Sequence, residues 1–428
     1  MKFIIFFLLL SSSISYAETL DEKLAKHIQF FGIESLPQNQ LNPNRPLIEL
    51  GRHLFIAPII SGNRNISCLT CHDPKFGTSD NKRLSQTHDG KGILKRNSQS
   101  LYNVGLDSRV HMFWDGRVSF NPETKTFQTP ENDFNGENPK RSDITSKMHS
   151  ALAMQVIFPM VSHEEMRGSV GENEIANAPN NQAAWDLLVA RLLRHPKFSQ
   201  QIKAAFPNET TINIGHIGEA LASFIKEEFY SNGSPFHRYI AGDKTAMTNR
   251  QKEGMRIFIE RGNCIACHQG GELGLNTFYA SVGVPQYGAK PFQLDLGRAT
   301  SGVKGEEFKS MWFRTPSLLN LKVTGPYFHN GAYKSIREVI NHYSNIQVFL
   351  DSFDLSGNDR DELPVEVDVL NDSINRQKVF KSIVAPFLRR GLNFTENEKD
   401  ALEDFLTYGL MDPKFDNEQR PQYLPVKK

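Results

Sequence analysis

The chain has 428 residues, 39% of them hydrophobic and 23% charged, with 49 basic side chains against 48 acidic ones. That length allows two or three domains with an ample core, and the near-zero balance excludes a strongly basic nucleic-acid binder or an acidic disordered tail. Four cysteines are too few for a disulfide-stapled scaffold, so their positions matter more than their number.

The chain opens on a positive start, Met1-Lys2, followed by an unbroken apolar run from Phe3 to Leu10 and small residues at Ser15 and Ala17. This is the pattern of a secretory signal peptide over residues 1–17. The run is far short of the roughly 20 residues that cross a bilayer. The mature protein is expected to begin near Glu18, to be exported and to carry no membrane span. All four cysteines then fall in two copies of one motif, Cys68-Leu69-Thr70-Cys71-His72 and Cys264-Ile265-Ala266-Cys267-His268. C-x-x-C-H is the attachment signal for c-type haem: two thiols add to the two vinyl groups of one porphyrin, and the adjoining imidazole ligates iron. A zinc site or an exported disulfide could use the same cysteines. Neither explains the histidine after each pair. The expectation is two covalently bound haem c groups, in keeping with export.

Between and beyond the motifs, apolar residues recurring at three and four predict helices over Trp185 to His195, Ile217 to Phe229 and Gln251 to Glu260. Thr395 and Glu398 form a capping box ahead of another helix. Asn-, Gly- and Pro-rich stretches such as Asn121 to Lys140 and Ala178 to Gln182 read as loops. No internal repeat is visible beyond the haem motifs, and strand alternation is weak. The fold class is mainly α, with two c-type cytochrome-like haem domains and long loops. The domains are placed at 18–243 and 244–410, with a tail at 411–428 and a linker over Asp243 to Asn249.

Four further segments narrow the function: Arg96-Asn97-Ser98, Phe113-Trp114-Asp115-Gly116-Arg117, Arg314-Thr315-Pro316-Ser317-Leu318, and Thr324-Gly325-Pro326-Tyr327-Phe328-His329-Asn330-Gly331. Their order and separations resemble the bacterial di-haem cytochrome c peroxidase family, which includes MauG, from about Gly51 to Leu410. The resemblance implies a periplasmic oxidoreductase that reduces hydrogen peroxide at the N-terminal haem. Electrons would be relayed through the C-terminal haem from a small cytochrome c or cupredoxin. A MauG-like alternative uses peroxide to oxidise side chains of a partner protein. A third reading is a passive di-haem electron carrier.

The same resemblance implies roles for individual residues. Gln155 to Met166 is similar to the family's distal loop, in which a glutamine precedes the catalytic glutamate by ten residues. This selects Glu165 as the acid–base group for O–O cleavage and Gln155 as a second distal polar group, although without the family Glu164 and Glu165 would both read as exposed loop charges. Trp114 matches the inter-haem tryptophan. His88 stands where many members have a histidine that closes the first iron, yet Thr87, Asp89 and Gly90 suit an exposed loop equally, and MauG-type members leave that site open. At the second haem the peroxidases proper use a methionine, fourteen residues after the histidine of the Tyr-Phe-His motif; here that position is Tyr343, as in MauG. Ser335 and Glu338 form a capping box before it, and Tyr343 shares an apolar stripe with Ile336, Val339 and Ile340, which would also suit a core tyrosine. His342 lies off that stripe. A phenolate donor favours oxidised iron whereas methionine raises the potential, so a Tyr343-ligated haem predicts reaction with peroxide without prior reduction. The family also holds a calcium ion between its domains, and its ligands match the Asn97 side-chain carbonyl and the backbone carbonyls of Thr324 and Pro326.

Overall fold

A computed structural model describes residues 18–37, 42–355 and 362–416; the expected signal peptide and residues 417–428 of the tail lie outside them. The fold is mainly helical, as expected. Its longer helices are α1 (Leu20–Phe31), α2 (Arg45–Ile56), α3 (Asn181–Arg194), α4 (Ile214–Glu228), α5 (Asn249–Ile259), α6 (Ile336–Ser344) and α7 (Glu396–Asp404). Helices α3, α4 and α5 begin two to four residues before their predicted starts. The reason is local: Asn180, Asn213 and Thr248 accept backbone N–H groups of the first turn, so each helix starts at its cap rather than at its first apolar residue. The capping boxes of Ser335 with Glu338 and Thr395 with Glu398 both form.

Strands are few and short. They are β1 (His111–Met112), β2 (Val118–Asn121), β3 (Thr126–Gln128), β4 (Tyr279–Ala280), β5 (Tyr287–Ala289), β6 (Phe313–Arg314) and β7 (Val367–Val369). The first three make one antiparallel sheet, so β3 lies inside the stretch expected to be loop; β4 pairs with β6, and β5 with β7. Three-residue pairings leave no alternation long enough to read. Among the described residues no helix is long and apolar enough to cross a membrane.

Two large hydrophobic cores organise the chain. The first gathers Leu50, Phe55, Trp185, Leu221 and Phe224 from α2, α3 and α4; the second gathers Met255, Phe258, Ile340, Leu402 and Phe405 from α5, α6, α7 and the turn that follows α7. The chain ends cross over. Leu24 of α1 is buried in the second core, while Met411 and Phe415, from the expected tail, are buried in the first.

The cores share a device that the sequence reading missed. A Cβ on Gly51 of α2 would lie 2.0 Å from the Ala220 carbonyl oxygen of α4, and a Cβ on Gly254 of α5 would lie 2.0 Å from that of Ala401 in α7. One turn further on, Phe55 packs on Phe224 with ring centroids 5.4 Å apart, and Phe258 packs on Phe405 at 5.8 Å. G-x-x-x-F thus crosses A-x-x-x-F twice, an internal repeat carried by four side positions per half and therefore invisible as an extended similarity.

Candidate functional site

Each C-x-x-C-H motif is wound into a single turn. The backbone N–H of His72 donates to Cys68 O at 2.9 Å and that of His268 to Cys264 O at 2.9 Å, which gathers two thiols and an imidazole on one short coil. No disulfide joins either pair. Among the described residues no group of three or more His, Cys, Asp or Glu side chains is arranged to cage a metal. The imidazoles are oriented alike. Nδ1–H of His72 donates to Thr78 O at 3.1 Å, and Nδ1–H of His268 donates to Leu273 O at 2.9 Å. A carbonyl only accepts, so the proton sits on Nδ1 and Nε2 keeps its lone pair for iron. Burial lowers both imidazole pKa values, that of His268 to about 4, which keeps the rings neutral as a metal donor must be.

The second motif opens into a mostly apolar cavity of about 280 Å³, whose walls include Cys264, Cys267, His268, Leu319, Tyr343 and Phe394. Protein interiors are close-packed, so a space of this size within the fold calls for an occupant. A porphyrin fits what lines it: two thiols, a neutral imidazole and a phenol in an apolar shell. Tyr343 does face this space from α6, and burial lifts its hydroxyl far above the usual phenol range. Only a nearby cation would draw off that proton. His342 is fully buried, not merely off the stripe. Its Nε2–H donates to Val282 O at 2.9 Å and its Nδ1 accepts from Tyr333 Oη at 3.0 Å, so both ring nitrogens are engaged.

In the N-terminal half, Glu165 sits at the middle of a single π turn, His163–Arg167, where the N–H groups of Glu165, Met166 and Arg167 converge on Ser162 O. Such turns re-aim side chains and recur at functional sites. Here Glu164 points to solvent while Glu165 is half-buried. Burial raises the Glu165 carboxyl; a hydrogen bond from Ser162 and the charge of Arg117 pull the other way. The carboxylate charge is felt at the Cys71 thiol, which puts it within electrostatic range of the first motif. Gln155 closes the short helix Ala151–Gln155 and is half-buried. Arg117 lies 3.7 Å over the Phe113 ring and pairs with Asp115 at 2.9 Å. His88 is tied to this loop. Its N–H donates to Glu164 O at 2.9 Å, its Nε2 lies 3.3 Å from Ser169 Oγ, and its buried Nδ1 has no hydrogen-bond partner among the described residues.

Trp114 lines the second cavity and donates from Nε1 to Asn97 O at 3.0 Å. Asn97 is itself pinned: its N–H donates to His329 O at 2.7 Å and its Nδ2 to Lys82 O at 2.7 Å. Thr324 and Pro326 line the same cavity. The sequence reading gave no role to Arg96, which grips Asp115 at 2.6 Å and Asp295 at 2.7 Å and so ties the 113–117 segment to Asp295. It also missed the carbonyls of Thr78 and Leu273, which carry no side-chain signal.

A family model described as di-haem cytochrome c peroxidase matches residues 45–245. The chain is 28% identical over 311 residues to the methylamine utilization protein MauG of Methylorubrum extorquens, covering 72% of each chain. It is 27% identical over 307 residues to cytochrome c551 peroxidase of Nitrosomonas europaea, covering 71% of this chain and 75% of that one. Residues 45–245 belong to the di-haem cytochrome c peroxidase family. As a di-haem peroxidase the chain is an oxidoreductase that carries two haem c groups. Among solved structures, a MauG-like protein associated with microbial copper homeostasis superposes on this peroxidase with a TM-score of 0.59 at 22% identity, covering 91% of this chain and 97% of that one. The diheme peroxidase BthA of Burkholderia thailandensis gives 0.58 at 20% identity, covering 88% of each. Both likenesses establish the fold.

Proposed function

We propose that this di-haem peroxidase acts in the periplasm, reducing hydrogen peroxide at the N-terminal haem with electrons relayed through the C-terminal haem from a small cytochrome c or cupredoxin. The observation that carries the reading is the inward-turned, half-buried Glu165 with its raised carboxyl pKa. Held by His72, a haem would supply the peroxide-binding iron and the electrons for peroxide reduction. Glu165 takes the proton from one peroxide oxygen and delivers it to the other, which leaves as water. A carboxyl whose pKa is raised by burial sits closer to the operating pH, where accepting and releasing a proton are both fast. Gln155 holds the peroxide by its amide. Trp114 carries the electron between the two halves, its ring anchored through Asn97. Asn97, Thr324 and Pro326 supply hard oxygen donors for a calcium ion, which would stiffen that anchor. The signal-peptide pattern of residues 1–17 supports export.

Tyr343 favours a second reading, in which the oxidising equivalents are used on side chains of a partner protein, as the MauG resemblance implies. A phenolate donor at the second iron disfavours a reduced haem held in readiness. Peroxide consumption is measured with reduced cytochrome c as donor, in wild type and Glu165→Gln. Donor-dependent turnover that collapses in the variant supports the peroxidase; fast peroxide reaction of the oxidised enzyme without donor turnover supports the second reading. A passive carrier would consume no peroxide in either protein.

A further inference from the structure

Tyr279 is a buried titratable side chain that this chemistry leaves unused. It lies in β4, only 4% exposed, with Oη 2.6 Å from Nδ1 of His111 in β1. The opposite flank of the hydroxyl is closed by Gly116, where a Cβ would come within 1.7 Å of Oη. Gly116 therefore has no side chain because the phenol occupies its place, and the hydroxyl is directed at His111.

The phenol is built onto the segment that carries Trp114. Tyr279 pairs across the sheet with Arg314, whose N–H donates to Trp114 O at 2.8 Å and whose Nε donates to Phe113 O at 3.0 Å. Arg298 donates to the carbonyls of Asp115 and Gly116 at 3.0 and 2.6 Å, while its guanidinium lies 4.6 Å above the Tyr279 ring. Lys309 lies 5.8 Å from the same ring, and Glu306 pairs with both Arg298 and Lys309.

We infer that Tyr279 and His111 form a proton-coupled redox station next to Trp114, in which the oxidised indole takes an electron from the phenol while the hydroxyl proton moves to His111 Nδ1. The indole returns to its neutral form, the phenol becomes a neutral phenoxyl radical and the imidazole becomes an imidazolium. One electron and one proton leave Tyr279, and both have named destinations. The oxidising equivalent comes from peroxide, a two-electron oxidant, and the inference rests on the reading of Trp114 as the relay.

The surroundings explain why proton and electron must move together. Arg298, Lys309 and Arg314 face the ring, so a positively charged phenol radical would be repelled by them, whereas a neutral one is not. His111 is a neutral base: burial first, then Arg298 and Arg314, hold its pKa down to about 4. An oxidised phenol is a strong acid and gives its proton even to so weak a base. The same weakness returns the proton once an electron comes back, so the station is reversible and stores an equivalent without losing it to solvent.

Rapid-freeze electron paramagnetic resonance of the holoenzyme mixed with hydrogen peroxide tests this, using protein grown on ring-deuterated tyrosine. The expected result is a neutral tyrosyl line shape that narrows on deuteration and is lost in Tyr279→Phe, which keeps the ring and removes only the hydroxyl. His111→Gln is expected to lose it too, whereas Tyr333→Phe, at the other buried tyrosine bonded to a histidine, keeps it. Unchanged resting haem spectra certify that each variant is folded. A tyrosyl signal that survives Tyr279→Phe overturns the inference, as does wild-type enzyme that consumes peroxide and yields no tyrosyl signal. Wild-type enzyme that does not react with peroxide overturns the peroxidase reading itself, and this inference with it.

Discussion

Around Cys68 and around Cys264 the chain repeats three devices. A glycine lets one helix cross another at backbone contact, a short coil gathers two thiols and an imidazole, and a carbonyl a few residues downstream fixes the imidazole proton on Nδ1. The two halves part company in the further side chain that each delivers. In the N-terminal half a π turn delivers Glu165, half-buried and within the field of Arg117. In the C-terminal half a regular helix delivers Tyr343 into an apolar cavity. On the proposed reading, the irregular turn would suit a carboxyl that exchanges protons, and the regular helix a fixed donor. Two similar undersides would then acquire different chemistry from one side chain each, supplied by an element outside the repeat.

The largest expected effect comes from changing those two side chains in turn. Glu165→Gln keeps shape and polarity but removes the base, and kcat/KM for peroxide should fall by about 10²–10⁴, the usual contribution of a general acid–base group. The pH profile sharpens this. Burial raises the Glu165 pKa, and the reaction needs the carboxylate, so the rate should drop on the acid side with a midpoint above the usual carboxylate range. That limb should vanish in the variant; if it persists, another group titrates. Tyr343→Met leaves the proton chemistry alone. It should raise the potential of the second haem by on the order of 100 mV, within the span that axial ligands control, and make prior reduction a condition for peroxide turnover. Spectroelectrochemistry and stopped-flow absorption read the two changes separately. An unmoved potential would mean that Tyr343 is a wall of the cavity and not a ligand.

What the sequence discloses of this contrast follows from chemistry. Covalent attachment demands cysteines and a histidine at fixed spacing, so Cys68, His72, Cys264 and His268 are legible without any fold. Helices with broad apolar stripes are legible too, and their polar caps decide the true first turns. Glu165 is not legible alone: a π turn is set by three N–H groups meeting one carbonyl, and neighbouring Glu164 has the same side chain with the opposite exposure. His342 misleads in the same way, because its ring partners, Val282 and Tyr333, lie 60 and 9 residues away along the chain and outside its helix. Long-range polar anchors such as Arg96 with Asp295 leave no local pattern at all.

The smallest effect probes the shared part of the comparison. Replacing a mid-helix glycine by alanine ordinarily stabilises a helix by roughly 0.5–1 kcal/mol. At Gly51 and Gly254 the added methyl meets a backbone carbonyl 2.0 Å away and a phenylalanine Cβ at 2.8 or 2.7 Å, none of which is the yielding end of a flexible side chain. The helices must separate, and overpacking of this kind costs about 1–3 kcal/mol. Gly51→Ala and Gly254→Ala should therefore lower the unfolding midpoint by similar amounts in denaturant titrations of the holoenzyme. Each should loosen the haem of its own half, seen as a change at one haem spectrum and not the other. Matched losses would establish that the two crossings are equivalent supports for their imidazoles. A neutral Gly254→Ala beside a damaging Gly51→Ala would mean that α1, which packs on the C-terminal core, lets that half adjust where the other cannot.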